Sequence, residues 1–107
     1  MNINARDEYL IQLDNFKKLE KQLRSEIFKK KKNPNENAEQ FDKQIKKLID
    51  ESELCLKNIK GINDECRQKK ALSHSEMQNR MTEYDENKQV LHKLKNEYSQ
   101  DLLYQVC

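Results

Sequence analysis

With a single glycine, a single proline and no tryptophan in 107 residues, this chain has few places to turn. Tight turns draw on Gly, Pro, Asn and Asp, so hairpin-rich β architectures are disfavoured and long helices favoured. One glycine also excludes a glycine-rich loop that could cradle phosphate. No apolar run approaches the ~20 residues that cross a bilayer. Neither sign of charge dominates, because 21 basic residues face 19 acidic ones, and self-repulsion is weak. Charged residues (37%) slightly outnumber hydrophobic ones (35%), which puts the composition near the border of disorder. Balanced charge with few helix breakers favours long helices carrying pairs at i,i+4.

Catalytic and metal-binding patterns are missing as well. His74 and His92 are not spaced from any other ligand type as a metal site requires. The three cysteines, Cys55, Cys66 and Cys107, are an odd number. Cys55 and Cys66 fall eleven apart on one expected helix, a rise of ~16 Å that no disulfide spans. With no signal peptide in view, the expectation is a reducing compartment. The two seam thiols read as small hydrophobes. The chain is therefore expected to be non-enzymatic, with no catalytic residues, metal or cofactor.

What the sequence does contain is three helical stripes. Helix 1 is expected from about 5 to 31, with Tyr9, Leu13, Phe16, Leu23 and Ile27 on its buried face and Leu10, Leu19 and Phe28 broadening it. Lys29 to Lys32 come next, where a helix C-terminus favours cations. They read as a solvated helix end, with contact to acidic headgroups the alternative. Nucleic acid is not expected, since no aromatics are interleaved for stacking. "NPNEN", residues 33 to 37, breaks the chain: Pro34 disfavours helix at Asn33, and Asn35 or Asn37 can cap the next helix.

Helix 2, about 36 to 69, has the most regular pattern. Ala38, Phe41, Ile45, Leu48, Ser52, Cys55, Ile59, Ile62 and Cys66 step alternately by three and four, an a/d seam. Ile49 and Leu56 add a second row beside it, so helix 2 is expected to touch two neighbours. Gly61 costs ~1 kcal/mol against alanine, and either allows close packing or marks fraying. Ser73 and Glu76 match a capping box and start helix 3, about 74 to 104. Its expected stripe is Met77, Met81, Tyr84, Leu91, Leu94, Tyr98 and Leu102. Met77 and Met81 read as core, though methionine would also suit an adaptable groove.

Three long helices joined by short turns must run up, down and up. The expected fold is all-α: one domain over residues 1–107, an elongated antiparallel three-helix bundle and a monomer. A hairpin that dimerises is the competing closure. Partner binding is expected near the second turn, where Leu72, His74 and Met77 lie among charged residues as candidate apolar anchors with a polar rim.

One stretch goes beyond pattern. "NRMTEY", Asn79 to Tyr84, resembles the third-helix motif N-R-M-x-x-Y in the N-terminal domain of the vesicle transport through interaction with t-SNAREs family, which are Qb-class SNAREs. "EYSQDLL", residues 97 to 103, fits the continuation. "YLIQLDNFKKLEKQL" resembles the family's first helix. "DKQIKKLIDESELCLKNI" resembles its second, with Asp50 and Glu51 ahead of Leu54 and Leu56. The likeness spans almost the whole chain, while "KKKKNPNEN" is not a family motif. It implies a three-helix (Habc-like) recognition domain on the cytoplasmic face of Golgi and endosomal membranes. Its partners would be SNAREs and epsin-type clathrin adaptors, in vesicle transport and membrane fusion. It also implies an excised domain or truncated relative, because the family continues into a SNARE motif and a C-terminal membrane anchor that this chain does not contain. Alternatives are a tubulin-folding chaperone similar to tubulin-binding cofactor A, also a three-helix bundle, and a plain coiled-coil oligomerisation module.

Overall fold

The computed structural model describes residues 5–33 and 38–106, and the side chains of 8–33 and 39–99. Three helices account for nearly all of it: α1 (Ala5–Lys32), α2 (Ala38–Lys69) and α3 (His74–Val106). The expected caps at Asn35 and Asn37 and the break at Pro34 lie outside the described residues, as do the side chains of Ala38 and Leu102 and all of Cys107.

Cross-helix contacts establish the topology. Lys30 meets Asp42 and Gln12 meets Asn58, so α1 and α2 run antiparallel. Tyr98 meets Asp42 and Lys95 meets Glu53, so α3 reverses again. Tyr9 meets Glu83 and Lys17 meets Asn87, which brings α3 back beside α1 in parallel. The result is the expected up-down-up bundle, elongated at 52 × 27 × 16 Å.

Helix α2 is the shared wall. It packs most extensively against α1 and next against α3, while α1 and α3 touch least. Ile45, Leu48, Cys55, Ile59 and Cys66 of its seam are buried, and so are Ile49 and Leu56 of its second row. From α1 come Tyr9, Phe16, Leu23 and Ile27; from α3 come Leu91, Leu94 and Tyr98. Cys55 and Cys66 are buried and free, and burial, with the charge of Glu51, pushes the Cys55 thiol up.

Several expected core residues are not core. Leu10 and Phe28 are more than half exposed, at 53% and 58%, and Met81 is exposed at 40%. The cause is helix geometry. Burial on α1 follows the heptad row Tyr9, Phe16, Leu23 and Lys30 and the adjoining Leu13, Glu20 and Ile27, and Leu10 and Phe28 lie about 100° round the helix from Tyr9 and Ile27. On α3 the inward rows are Tyr84 (half-buried), Leu91, Tyr98 and Arg80, Asn87, Leu94, and Met81 belongs to neither. The lysine run needs correction too: Lys30 is 2% exposed rather than solvated.

The second turn is built from local hydrogen bonds. Lys70 N donates to Arg67 O and Ala71 N to Cys66 O, the paired bonds of a Schellman cap. Such a cap needs a left-handed residue, and here it is Lys70, at φ 51°. Ser73 Oγ then accepts from Glu76 N at 3.2 Å, the serine half of the expected capping box. Gly61 is exposed, and a Cβ built on it would meet nothing within 4 Å, so it serves no close packing. Gly61→Ala is therefore expected to stabilise the bundle by roughly 1 kcal/mol. Lys70→Gly should add up to roughly 1 kcal/mol by relieving the left-handed strain. Ile59→Asp should abolish cooperative melting, because it buries an unpaired charge. Thermal unfolding monitored by circular dichroism checks all three, and a lower melting temperature for Gly61→Ala would contradict this account of the glycine.

Candidate protein-docking site

The "NRMTEY" segment divides between two faces of α3. Arg80 and Glu83 point into the bundle end. The Arg80 guanidinium lies 4.0 Å from the centre of the Tyr9 ring, within cation–π range, and its Nη1 approaches Cys66 Sγ at 3.9 Å. Tyr9 Oη donates to Glu83 Oε1. Burial first, then this bond and the charge of Glu83, push the Tyr9 phenol far above its ordinary range against the opposing pull of Arg80. One arginine and one glutamate thus fasten α3 to both other helices. Met81 and Tyr84 project from the other face, toward α2.

Further polar contacts hold the rest of the bundle. Lys17 Nζ donates to Asn87 Oδ1 at 2.8 Å, joining α1 to α3 at mid-length. At the far end Lys30 Nζ donates to Asp42 Oδ1 and lies 4.9 Å from the centre of the Tyr98 ring, while Tyr98 Oη donates to the same carboxylate oxygen at 2.9 Å. Burial acts to raise the Asp42 pKa, but the bonds from Lys30 and Tyr98 and the charges of Lys30 and Lys46 outweigh it, so the carboxyl lies below its ordinary range. The Tyr98 phenol, buried and bonded to that anion, is pushed up to about 12.

Between α2 and α3 an open groove remains. Its larger part has a volume of about 470 Å³ and a floor of Leu56, Tyr84 and Leu91. Lys57 and Lys60 of α2 and Lys88, His92 and Lys95 of α3 form its rim, with Glu53 its single acid. A second depression of about 230 Å³ adjoins it, sharing Lys60 and Tyr84, and extends the groove past Met81 to Arg67. The ends are closed by Lys95 on Glu53 at 2.7 Å and by Arg67 Nη2 on Met81 Sδ at 2.9 Å.

The three residues proposed from sequence as partner anchors lie elsewhere. Leu72 is in the α2–α3 connection and half-buried, His74 opens α3 and is exposed, and Met77 is half-buried one turn on. They share one end of the bundle, whereas the groove runs along its side. Sequence reasoning missed the groove because its floor residues were all assigned to the core. The available signal was the spacing of Lys57, Lys60, Lys88, His92 and Lys95, which puts cations beside the apolar rows of both helices. Among the described residues no three His, Cys, Asp or Glu side chains gather as a metal site would require, and no helix is long and apolar enough to cross a membrane.

Asp42 carries a pH dependence of definite sign. Its folded-state pKa is depressed, so its contribution to stability is present above its unfolded value of ~4 and is lost as pH falls through the folded value. Chemical denaturation between pH 6 and pH 2 (a range of about four units around the ordinary carboxylate value) is expected to show Asp42→Asn less stable at the neutral end, with the gap closing toward the acid end. A constant gap across that range would contradict the ion-pair assignment. Lys30→Ala, which strips a buried stem and leaves Asp42, partly exposed, with only its bond from Tyr98, should cost roughly 1–3 kcal/mol at neutral pH.

Compared with known protein families, with curated proteins and with solved structures, the chain has no significant match to any of them.

Proposed function

We propose that this chain is a non-enzymatic recognition domain of the Qb-class SNARE type, acting in Golgi and endosomal vesicle transport by binding SNARE partners or epsin-type clathrin adaptors. The single observation that carries the reading is the double use of "NRMTEY". The segment by which the chain resembles the family's third helix contributes Arg80 and Glu83 to the bundle's polar anchor. It contributes Met81 and Tyr84 to the wall of the open groove. One motif thus supports the helix packing and the surface a partner would read. The bundle also offers what such a domain needs: a packed core and a charged groove in which Tyr84 is half-buried and Met81 exposed.

Binding of the purified domain to a folded epsin-type adaptor domain, measured by calorimetry, tests the proposal. The expected affinity is micromolar, since sorting contacts must release. Leu72→Ser probes the alternative surface at the α2–α3 turn, where it should weaken binding with little change in melting temperature if that end contributes. Capture of β-tubulin, with no affinity for adaptor or SNARE, would overturn the proposal in favour of a tubulin-folding chaperone.

A further inference from the structure

The groove has a shape, a length and a sign of charge, and together they specify an occupant. Its larger part has Leu56, Leu91 and Tyr84 at the bottom, and the adjoining depression continues from Tyr84 to Met81 between Asn63, Asp64, Arg67 and Asp85. Its two closing contacts fall at Met81 and Lys95 of α3. That interval corresponds to ~21 Å at 1.5 Å per residue, or about four helical turns. A strand would be a poor ligand, because the backbones of both walls are satisfied within their own helices and offer no edge to pair with. A helix satisfies its own backbone and needs only an apolar stripe to lay on the floor.

The rim supplies the sign. Four lysines line the larger part against one glutamate. That glutamate is already paired with Lys95. Lys57, Lys60 and Lys88 are exposed and make no ion pair among the described residues. Two of these cations lie on α2 and one on α3, so they flank the larger part from both sides, while the adjoining depression carries Asp64 and Asp85 beside Arg67. Over the larger part, charges so placed select a ligand that is acidic on both edges of an apolar stripe.

We infer that the α2–α3 groove seats an acidic amphipathic helix of about four turns from a partner protein. The inference rests on the recognition-domain reading and specifies its binding face. Leucine-like residues at i, i+3 and i+7 lie over Leu56, Tyr84 and Leu91, and carboxylates on the helix flanks meet Lys57 and Lys60 on one side and Lys88 on the other.

The test uses synthetic peptides of ~14 residues and fluorescence anisotropy. One carries leucines at helical spacing and flanking glutamates, a second has the same composition scrambled, and a third keeps the leucines but carries lysines in place of the glutamates. The acidic helix is expected to bind with a Kd on the order of 10 μM. The scrambled and basic peptides should bind at least tenfold more weakly. Lys60→Glu with Lys88→Glu should weaken the acidic peptide at least tenfold and strengthen the basic one. Lys43→Glu, an exposed change on α2 away from the groove, should do neither. Melting curves show whether the double variant folds; if it does not, Lys57→Glu carries the same reversal. Equal binding of the scrambled peptide, undiminished binding to the reversed groove, or binding of anionic vesicles in place of the peptide would each overturn the inference. If an epsin-type domain still binds the double variant at full affinity, the groove assignment fails and the recognition-domain reading stands. If neither adaptor nor SNARE binds the wild-type domain, that reading fails, whatever the peptide does.

Discussion

The architecture depends on one constraint: two adjacent apolar rows of α2 must be buried against two different helices. A single row, as in a two-stranded coiled coil, would need one partner. Ile45, Leu48, Cys55, Ile59 and Cys66, with Ile49 and Leu56 beside them, are too wide a stripe for that. With about a third of the chain hydrophobic, the fold has little apolar surface to spare. The third helix is required to cover what the first leaves open.

Polar residues within the rows are a second organising feature. Lys30, Ser52, Asn63, Arg80 and Asn87 are all buried; Lys30, Ser52 and Asn63 fall on heptad rows with buried apolar side chains, and Arg80 and Asn87 share a row with Leu94. Most have partners suited to their position. Ser52 Oγ donates to Leu48 O at 2.7 Å, Asn87 receives Lys17, Lys30 holds Asp42, and Arg80 stacks on Tyr9. Asn63 Oδ1 and Asn87 Nδ2 have no hydrogen-bond partner among the described residues. Apolar rows alone would tolerate sliding by a heptad. A lysine that must find its aspartate at one end, and an arginine and tyrosine that must find each other at the other, admit one register. This role in specifying register is our hypothesis for the polar pairs. A double-mutant cycle on Lys30 and Asp42 that found no coupling energy would remove one of its supports.

The groove arises from how unevenly the helices share the core. α1 and α2 interlock along most of their length, and α3 packs less extensively against either. Along the α2–α3 seam the outer positions are long lysine stems, which cover apolar surface with their methylenes while keeping the charge in water. A groove walled in this way keeps Leu56 and Leu91 largely covered and Tyr84 half-buried, so it exposes no large bare apolar patch that would invite association. Within six consecutive residues, Arg80 and Glu83 fasten α3 to its neighbours while Met81 and Tyr84 line the groove.

The number of helices, their approximate ends, the capping of α3 by Ser73 and the two-row character of α2 were legible in the sequence, because backbone sterics and side-chain periodicity are local properties. Which member of a wide stripe turns inward was not. Leu10 and Phe28 are as apolar as Phe16, and Met81 as apolar as Leu91, yet their exposure is decided by where the neighbouring helix lies. Heptad arithmetic from Tyr9, Phe16 and Leu23 does point to Lys30, and from Leu94 back to Asn87 and Arg80. Hydrophobicity argued against burying them, and only the partners supplied by other helices (Asp42, Lys17 and Tyr9) make their burial tolerable. The groove is the extreme case. Neither α2 nor α3 contains it, because a concave surface between two helices exists only once their separation and rotation are set by the third.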